Sequence, residues 1–432
     1  RKGYTQEWTS QISSSDDRAG GFVSSGHRDL IEMAPMDEEE DTKLPEENQE
    51  VDPSITLCHK IFLLSNPDLC DDVNALGEEV KAFVIERSMA TLYPPYCEKF
   101  GWMMDEKAAE DMRARNEARV AELDAKIKDA EDNLGDSEVR DALLAKAEFF
   151  AEVGDRESAL AAFDACEKKT VAIGQKMEMV FSVMRLCIFH DDWVALERQI
   201  AKLKDLLEQP GGADWERKNR LKVYEGVYKM ARRDFAGATS LFLESLSTFT
   251  TYELMTYDEF VFYAVVCAVV SLKRTELKAK VIDSPEVLAV IDNIAGGSVR
   301  DMVNSLHACK YREFMLAFPD VADAVNKSTW LHAHHRYFLR EARVAAYAQY
   351  LASYKSVTVV SMASSFCVSE EFIDAELSNF IVEGRLNVRI DKVNGVLVTN
   401  RPDAKNALYQ SYIKEGDHLL NRIQKLSRVI DL

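Results

Sequence analysis

The chain has 432 residues, 47% of them hydrophobic, and carries a formal net charge of -20 at pH 7. That length exceeds what one hydrophobic core organises and points to two or three domains. Acidity on this scale repels phosphates, which argues against nucleic acid and anionic membrane as main partners.

Arg1 to Glu50 holds 5 basic and 13 acidic side chains and ends in the block Asp37-Glu38-Glu39-Glu40-Asp41, followed by Glu46, Glu47 and Glu50. It has too little apolar surface to offset the entropy of ordering, so a disordered acidic tail is expected over 1–50. The sequence opens on Arg1 rather than Met, which leaves the natural N-terminus open, and nothing before the first helix reads as a signal peptide.

From Val51 to Pro94 the pattern predicts two or three amphipathic helices, broken at Asn66-Pro67 and ended by Tyr93-Pro94-Pro95. Asp105 to Asn133 reads as one long charged helix whose apolar positions are few (Met112, Val120, Leu123, Ile127), exposed over much of its surface. Together these form an N-terminal helical segment, 51–136.

Helices then come in pairs over 137–250. The first pair turns at Gly154-Asp155 and carries Ala159, Phe163 and Cys166. The second turns at His190-Asp191-Asp192 and carries Trp193, Ala195, Leu196 and Ile200. The third has Gly226 and Tyr228, a turn at Arg233-Asp234, then Ala238, Phe242 and Ser245. Ala159 to Ala195 is 36 residues and Ala195 to Ala238 is 43, periods that bracket helical-hairpin repeats of the tetratricopeptide type. A right-handed solenoid of degenerate TPR-like repeats follows.

Tyr257 to Leu272 is apolar on all sides and is expected to be the buried helix where the solenoid meets a C-terminal module, 251–401. Its apolar run, Phe260 to Leu272, is too short for a bilayer, which takes about 20 residues. The eight cysteines sit singly with no C-x-x-C pair, and read as reduced core residues of an intracellular protein. A helix opening at Ser284-Pro285 and ending at Gly296-Gly297 is expected next, then helices Val299 to Ala317, Val321 to Asn326 and Trp330 to Tyr354.

The stretch from Tyr354 to Arg401 reads as a winged helix. Ser356 to Phe366 is a small apolar helix, Cys367, Val368 and Ser369 make the turn, and Ser369 caps a second helix, Glu370 to Val382, ended by Gly384. Leu386, Val388 and Ile390 alternate, Asn394-Gly395 signals a two-residue hairpin, and Val396 to Thr399 returns as the partner strand. No Lys or Arg occurs from Val357 to Val382, while Glu370, Glu371, Asp374 and Glu376 are expected to face whatever the second helix meets. Such a helix is a poor reader of a DNA groove. Arg385, Arg389, Lys392 and Arg401 read as solvated wing charges, so the module is taken as protein-binding, through a sheet edge formed by Leu386, Val388, Ile390, Val396 and Val398.

A last helix runs from Asp403 toward Leu432 within the segment 402–432, with Leu419, Ile423, Leu426 and Ile430 at spacings of four, three and four. That heptad-like seam, interrupted at Gly416, needs a partner.

No residue set proposes catalysis. His332, His334 and His335 would suit a metallo-isopeptidase only with a Ser and an Asp following, and those positions hold Ala342 and Ala345. Phosphate-loop, dinucleotide and nucleophile-elbow signatures are absent, so no cofactor and no metal are expected.

The order of parts, with Tyr311-Arg312-Glu313-Phe314, Arg340-Glu341, Ala346-Tyr347, Ser361-Met362-Ala363 and Phe372 to Leu377, resembles PCI domains. Gly384-Arg385-Leu386, Ile390 to Asn394, Thr399-Asn400-Arg401-Pro402-Asp403 and Leu419 to Ile430 narrow the resemblance to the PCI-domain lid subunits of the 26S proteasome regulatory particle, the sixth non-ATPase subunit family in particular. Cys367 departs from that pattern, standing where the family usually has Gly; it must avoid a positive φ or be strained. The resemblance implies a non-enzymatic scaffold in ubiquitin-dependent degradation, located in cytoplasm and nucleus. Its winged helices would join edge to edge with other PCI-domain lid subunits, and its terminal helix would enter a bundle. Implied neighbours are those subunits, the lid deubiquitinase and the ATPase base. The paralogous scaffold of the COP9 signalosome and a nucleic-acid-binding winged helix are the alternatives.

Overall fold

The computed structural model describes residues 51–70, 72–133, 135–212, 214–399 and 404–430; the acidic tail and Arg401 lie outside them. The described residues are mainly helical, with one small sheet.

The N-terminal segment opens with helix Pro53–Ser65, capped by the Asp52 carboxylate, and continues through helices Val73–Glu86, Tyr93–Phe100 and Glu106–Asn133. Pro94 and Pro95 start a helix here rather than ending one. Their missing N–H groups fall in the first turn, where no intrahelical acceptor exists anyway. These helices share a small core around Leu57, Val80, Val84, Tyr93 and Met112.

Three helical hairpins follow: Asp136–Val153 with Arg156–Lys169, Ile173–Phe189 with Trp193–Glu208, and Trp215–Ala231 with Phe235–Ser245. Each turn is built the same way. Gly154 (φ 77), Asp191 (φ 56) and Arg233 (φ 68) take the left-handed conformation that closes the first helix. Asp155, Asp192 and Asp234 then cap the second helix, accepting from the backbone N–H of Ser158, Ala195 and Gly237. Measured between these caps the repeats are 37 and 42 residues long. The counterpart of Ala159 and Ala238, each four residues past its cap and fully buried, is therefore Leu196 rather than Ala195.

Within the third hairpin, Gly226 lies flat against the buried Phe242 ring, which meets Phe260 edge-on at 5.4 Å. A Cβ at Gly226 would fall inside that ring's contact envelope. Gly226→Ala is expected to destabilise the protein by about 1–2 kcal/mol, overpacking outweighing the gain in helix propensity. A chemical denaturation midpoint checks this.

Helix Tyr257–Ser271 begins with a full capping box, Thr256 with Glu259, and is buried without interruption from Phe260 to Val269. It packs on helix Phe235–Ser245 on one side and on helices Ser298–Ala308 and His335–Leu351 on the other. One continuous core consequently runs from Ile55 to Leu397, through repeats and C-terminal module alike.

Further helix boundaries differ from expectation: the helix expected over Trp330 to Tyr354 spans only His335–Leu351, after a short turn at His332–His334, and two more lie before it. The segment after Ser284-Pro285 is a single turn, Pro285–Leu288, then irregular backbone ending in Ala295, Gly296 and Gly297, all at positive φ. The next helix breaks at Cys309 (φ 61), where the Lys310 N–H reaches the Ser305 carbonyl at 2.9 Å, and not at Phe318-Pro319. Tyr311–Lys327 runs straight through Pro319 because Phe314, Phe318 and Val321 are buried on either side of it, with Phe314 and Phe318 stacked at 5.4 Å.

The winged helix comprises β1 (Ser356–Thr358), helices Val359–Phe366 and Glu370–Val382, β2 (Val388–Asp391) and β3 (Val396–Thr399). Ser356 to Thr358, expected as the start of a helix, is instead a strand antiparallel to β3, and the Thr358 hydroxyl caps the helix behind it. The sheet order is β1-β3-β2, so β3 is central. The hairpin loop has four residues rather than two. Asp391 pairs with Val396, and its carboxylate accepts from the N–H groups of Val393 and Asn394 and from the Asn394 amide, while Gly395 supplies the positive φ.

Candidate functional site

Among the described residues no group of three His, Cys, Asp or Glu is arranged to hold a metal ion. The three histidines singled out above each place a ring nitrogen on a backbone carbonyl: His332 on Asn326 (2.8 Å), His334 on Ala231 (2.6 Å) and His335 on His332 (2.8 Å). His334 ties the repeat turn at Arg233 to the start of helix His335–Leu351, while His332 and His335 brace the local turn before it. No helix among the described residues is long and apolar enough to cross a membrane.

The winged helix is locked to the rest of the chain by two ion-paired carboxylates. Glu341, buried on helix His335–Leu351, accepts from Arg385 just past the second winged helix. Glu376 accepts from Arg343 (2.8 Å) and from the Tyr347 hydroxyl (2.8 Å). Glu376 therefore points inward, unlike Glu370 and Glu371, which are exposed at the helix N-terminus. Asp374 is paired with Lys392 at 3.0 Å. Two of the wing cations, Arg385 and Lys392, are thus already neutralised within the chain, which leaves little positive charge for phosphates. Cys367 does adopt a positive φ, 54°, and its side chain is exposed in the turn.

The residues named for the sheet edge divide by face. Leu386 and Val388 are buried, and Ile390 sits opposite the fully buried Leu397, so these three look into the module. Val396 and Val398 lie on the outer face of the central strand, Val398 half exposed. The backbone edge open to a further strand therefore belongs to β2 or β1, because β3 is paired on both sides. Three apolar side chains nearby are exposed: Phe372, which falls in the apolar period of the second helix with Ile373 and Leu377, and Val382 (88% exposed) and Val393, which no periodicity marks.

The second surface is the terminal helix, Ala404–Ile430. Leu419, Ile423, Leu426 and Ile430 are all more than half exposed, and so are Leu408, Tyr409, Tyr412, Ile413, Leu420 and Val429. At about 100° per residue, Leu408 and Tyr412 continue the stripe of Leu419, Ile423, Leu426 and Ile430 within about 60°. Tyr409, Ile413 and Leu420 form a flank about 100° round from Leu419. Continuing the heptad back through Gly416 would have found Leu408 and Tyr412. That is a large bare aliphatic and aromatic surface for a single helix.

Comparison with known proteins decides what this arrangement belongs to. Residues 105–280 match the family described as 26S proteasome subunit RPN7, residues 310–401 the PCI domain, and residues 409–430 the 26S proteasome regulatory subunit RPN7/PSMD6 C-terminal helix. The chain belongs to the RPN7 family. It is 50% identical over 381 residues, 88% of this chain and 97% of the relative, to the 26S proteasome non-ATPase regulatory subunit 6 homolog of Arabidopsis thaliana. It is 41% identical over 382 residues to the Dictyostelium discoideum 26S proteasome non-ATPase regulatory subunit 6, covering 88% of this chain and 98% of that one. It is 34% identical over 404 residues to Saccharomyces cerevisiae 26S proteasome regulatory subunit RPN7, covering 88% and 94%. The family's three matched segments follow the architecture: the PCI match opens at Lys310, beside the break at Cys309, and the RPN7/PSMD6 helix match lies inside Ala404–Ile430.

Proposed function

We propose that this chain is a non-catalytic scaffold of the proteasome regulatory-particle lid, acting in ubiquitin-dependent protein degradation. It holds other PCI-domain lid subunits through the open edge of its winged-helix sheet and through its terminal helix. The lid deubiquitinase and the ATPase base are its further neighbours, and it works in cytoplasm and nucleus. The observation that carries this reading is the terminal helix, whose ten large apolar side chains, Leu408 to Ile430, stand in solvent along a single segment. The fused core from Ile55 to Leu397 supports it too, since it holds the helical repeats and the winged helix together as one piece.

Affinity purification of the tagged full-length chain, with quantitative mass spectrometry, tests the proposal. Lid subunits should copurify at equal stoichiometry, with the deubiquitinase and ATPases following. Recovery of signalosome subunits instead would overturn it, and so would a salt-sensitive mobility shift of duplex DNA by the isolated chain at micromolar concentration.

A further inference from the structure

The terminal helix carries its charge unevenly. Arg422, Lys425 and Arg428 stand in its last third, and no Asp or Glu occurs between His418 and Ile430; the last carboxylates before that stretch are Glu415 and Asp417. None of the three cations makes an ion pair among the described residues. On the wheel Arg422 borders the Leu419-Ile423-Leu426-Ile430 stripe, about 60° from Leu419, and Lys425 lies about 60° farther on the same side. The opposite border holds Leu420 and Ser427 and carries no charge in this stretch. This basic flank sits on a chain whose net charge is -20.

We propose, building on the seam reading above, that the occupant of this stripe is a partner helix with Asp or Glu along the border of its own apolar stripe, placed to meet Arg422 and Lys425. Charges bordering an apolar seam set which helices pair, attracting opposite charge and penalising like charge. A second copy running parallel and in register is a poor occupant, because it would set another Arg422 and Lys425 against these; an antiparallel copy could oppose them only with Glu415, the one carboxylate on that border of the helix. The charge pairs sit at the rim, so they act on partner choice and encounter more than on the total strength of the contact.

The test uses the full-length chain and proteasome regulatory particle purified from cells depleted of the native copy. Arg422→Glu with Lys425→Glu should lower affinity roughly tenfold at low salt. Raising NaCl from about 0.05 to 0.5 M should weaken binding of the unaltered chain and strengthen binding of the double variant, since screening acts on attraction in one and repulsion in the other. Arg428→Glu, on the far side of the helix, should change affinity less than twofold, and circular dichroism should show equal helicity in all. If the double variant binds with the same affinity and salt slope as the unaltered chain while Ile423→Asp with Leu426→Asp abolishes binding, the charge inference falls and the seam stands. If the Asp variant still binds, the seam reading itself falls. A homodimer of the isolated chain in sedimentation at micromolar concentration, lost in the Asp variant, would overturn the acidic-partner assignment in favour of a second copy.

Discussion

A chain ending at Pro402 is expected to melt and unfold like the full-length protein yet to stay out of the proteasome regulatory particle. Every described side chain of helix Ala404–Ile430 is exposed, so its loss removes no buried contact from the core between Ile55 and Leu397. What it removes is a stripe in which each aliphatic residue is worth roughly 1.5–3 kcal/mol on burial against a partner, before ordering costs. Ile423→Asp with Leu426→Asp should have the same effect as truncation, because two carboxylates would be forced into a dry seam. Asp at Asn421, which lies away from the stripe, should do little. Thermal melts by circular dichroism beside quantitative assembly check both halves. Normal stoichiometry of the truncated chain in the particle, or a collapse of its melting transition, would each contradict this account.

The second large effect is expected at Glu253, in the loop before the central helix. Its carboxylate accepts from Arg185 (2.6 Å), from Arg220 through both oxygens (2.7 and 2.8 Å) and from the Tyr224 hydroxyl (2.6 Å). Arg220 also lies over the Phe181 ring at 4.2 Å and reaches Glu178 at 3.0 Å, and Arg185 meets Asp52 at 3.2 Å. The backbone joins in, the Asp52 N–H donating to the Glu253 carbonyl at 2.9 Å. One carboxylate thereby joins the N-terminal segment, the second and third hairpins and the entry to the C-terminal module. Burial pushes its pKa up, but Arg185, Arg220 and the Tyr224 hydroxyl outweigh that and hold it below the usual glutamate value. Glu253→Gln leaves two guanidinium groups short of a charge and should cost about 3 kcal/mol at neutral pH. Because the folded pKa is depressed, this contribution is present above the unfolded glutamate pKa of about 4.3 and is lost as pH falls through the lower folded value. The gap between Glu253→Gln and the unaltered protein should therefore narrow below about pH 4. Urea midpoints at pH 7 and pH 3 read this; a constant gap across that range would rule out the charge as its source.

Much of the architecture could be read from residue patterns, for identifiable reasons. Turns at Gly154-Asp155, Asp191-Asp192 and Arg233-Asp234 were visible because an Asp cap is a local signal, needing no tertiary partner. The Ser369 cap and Glu370–Val382 were legible likewise. What escaped depended on contacts distant in sequence. Ser356 to Thr358 becomes a strand only because β3 returns beside it some forty residues later, and a three-residue strand has no periodicity of its own. Asn394-Gly395 promised a tight hairpin, but the Asp391 carboxylate gathers the preceding N–H groups into a longer loop. Pro319 looked like a boundary until the aromatic packing of Phe314 and Phe318 is known. The sheet-edge set mixed two faces because the register that sets Ile390 opposite Leu397, and so turns Val396 and Val398 the other way, is not written in either strand alone. The spacing of Leu419, Ile423, Leu426 and Ile430 was legible because it belongs to one helix alone, whereas what covers that stripe depends on groups outside it.

The uninterrupted burial of helix Tyr257–Ser271 has a consequence for synthesis. When this helix leaves the ribosome, helix Phe235–Ser245 is already available to cover one side. Its other side is covered in part once Ser298–Ala308 has emerged, and completely only after His335–Leu351 has, about 80 residues later, or roughly 4–16 s at ordinary elongation rates. For that interval Phe260 to Val269 presents a sticky half-cylinder to the surrounding solution, a natural holding point for a chaperone that binds apolar segments. Slowing translation between codons 272 and 351 should lengthen that exposure and raise the fraction of nascent chain that aggregates, whereas slowing it after codon 404 should not.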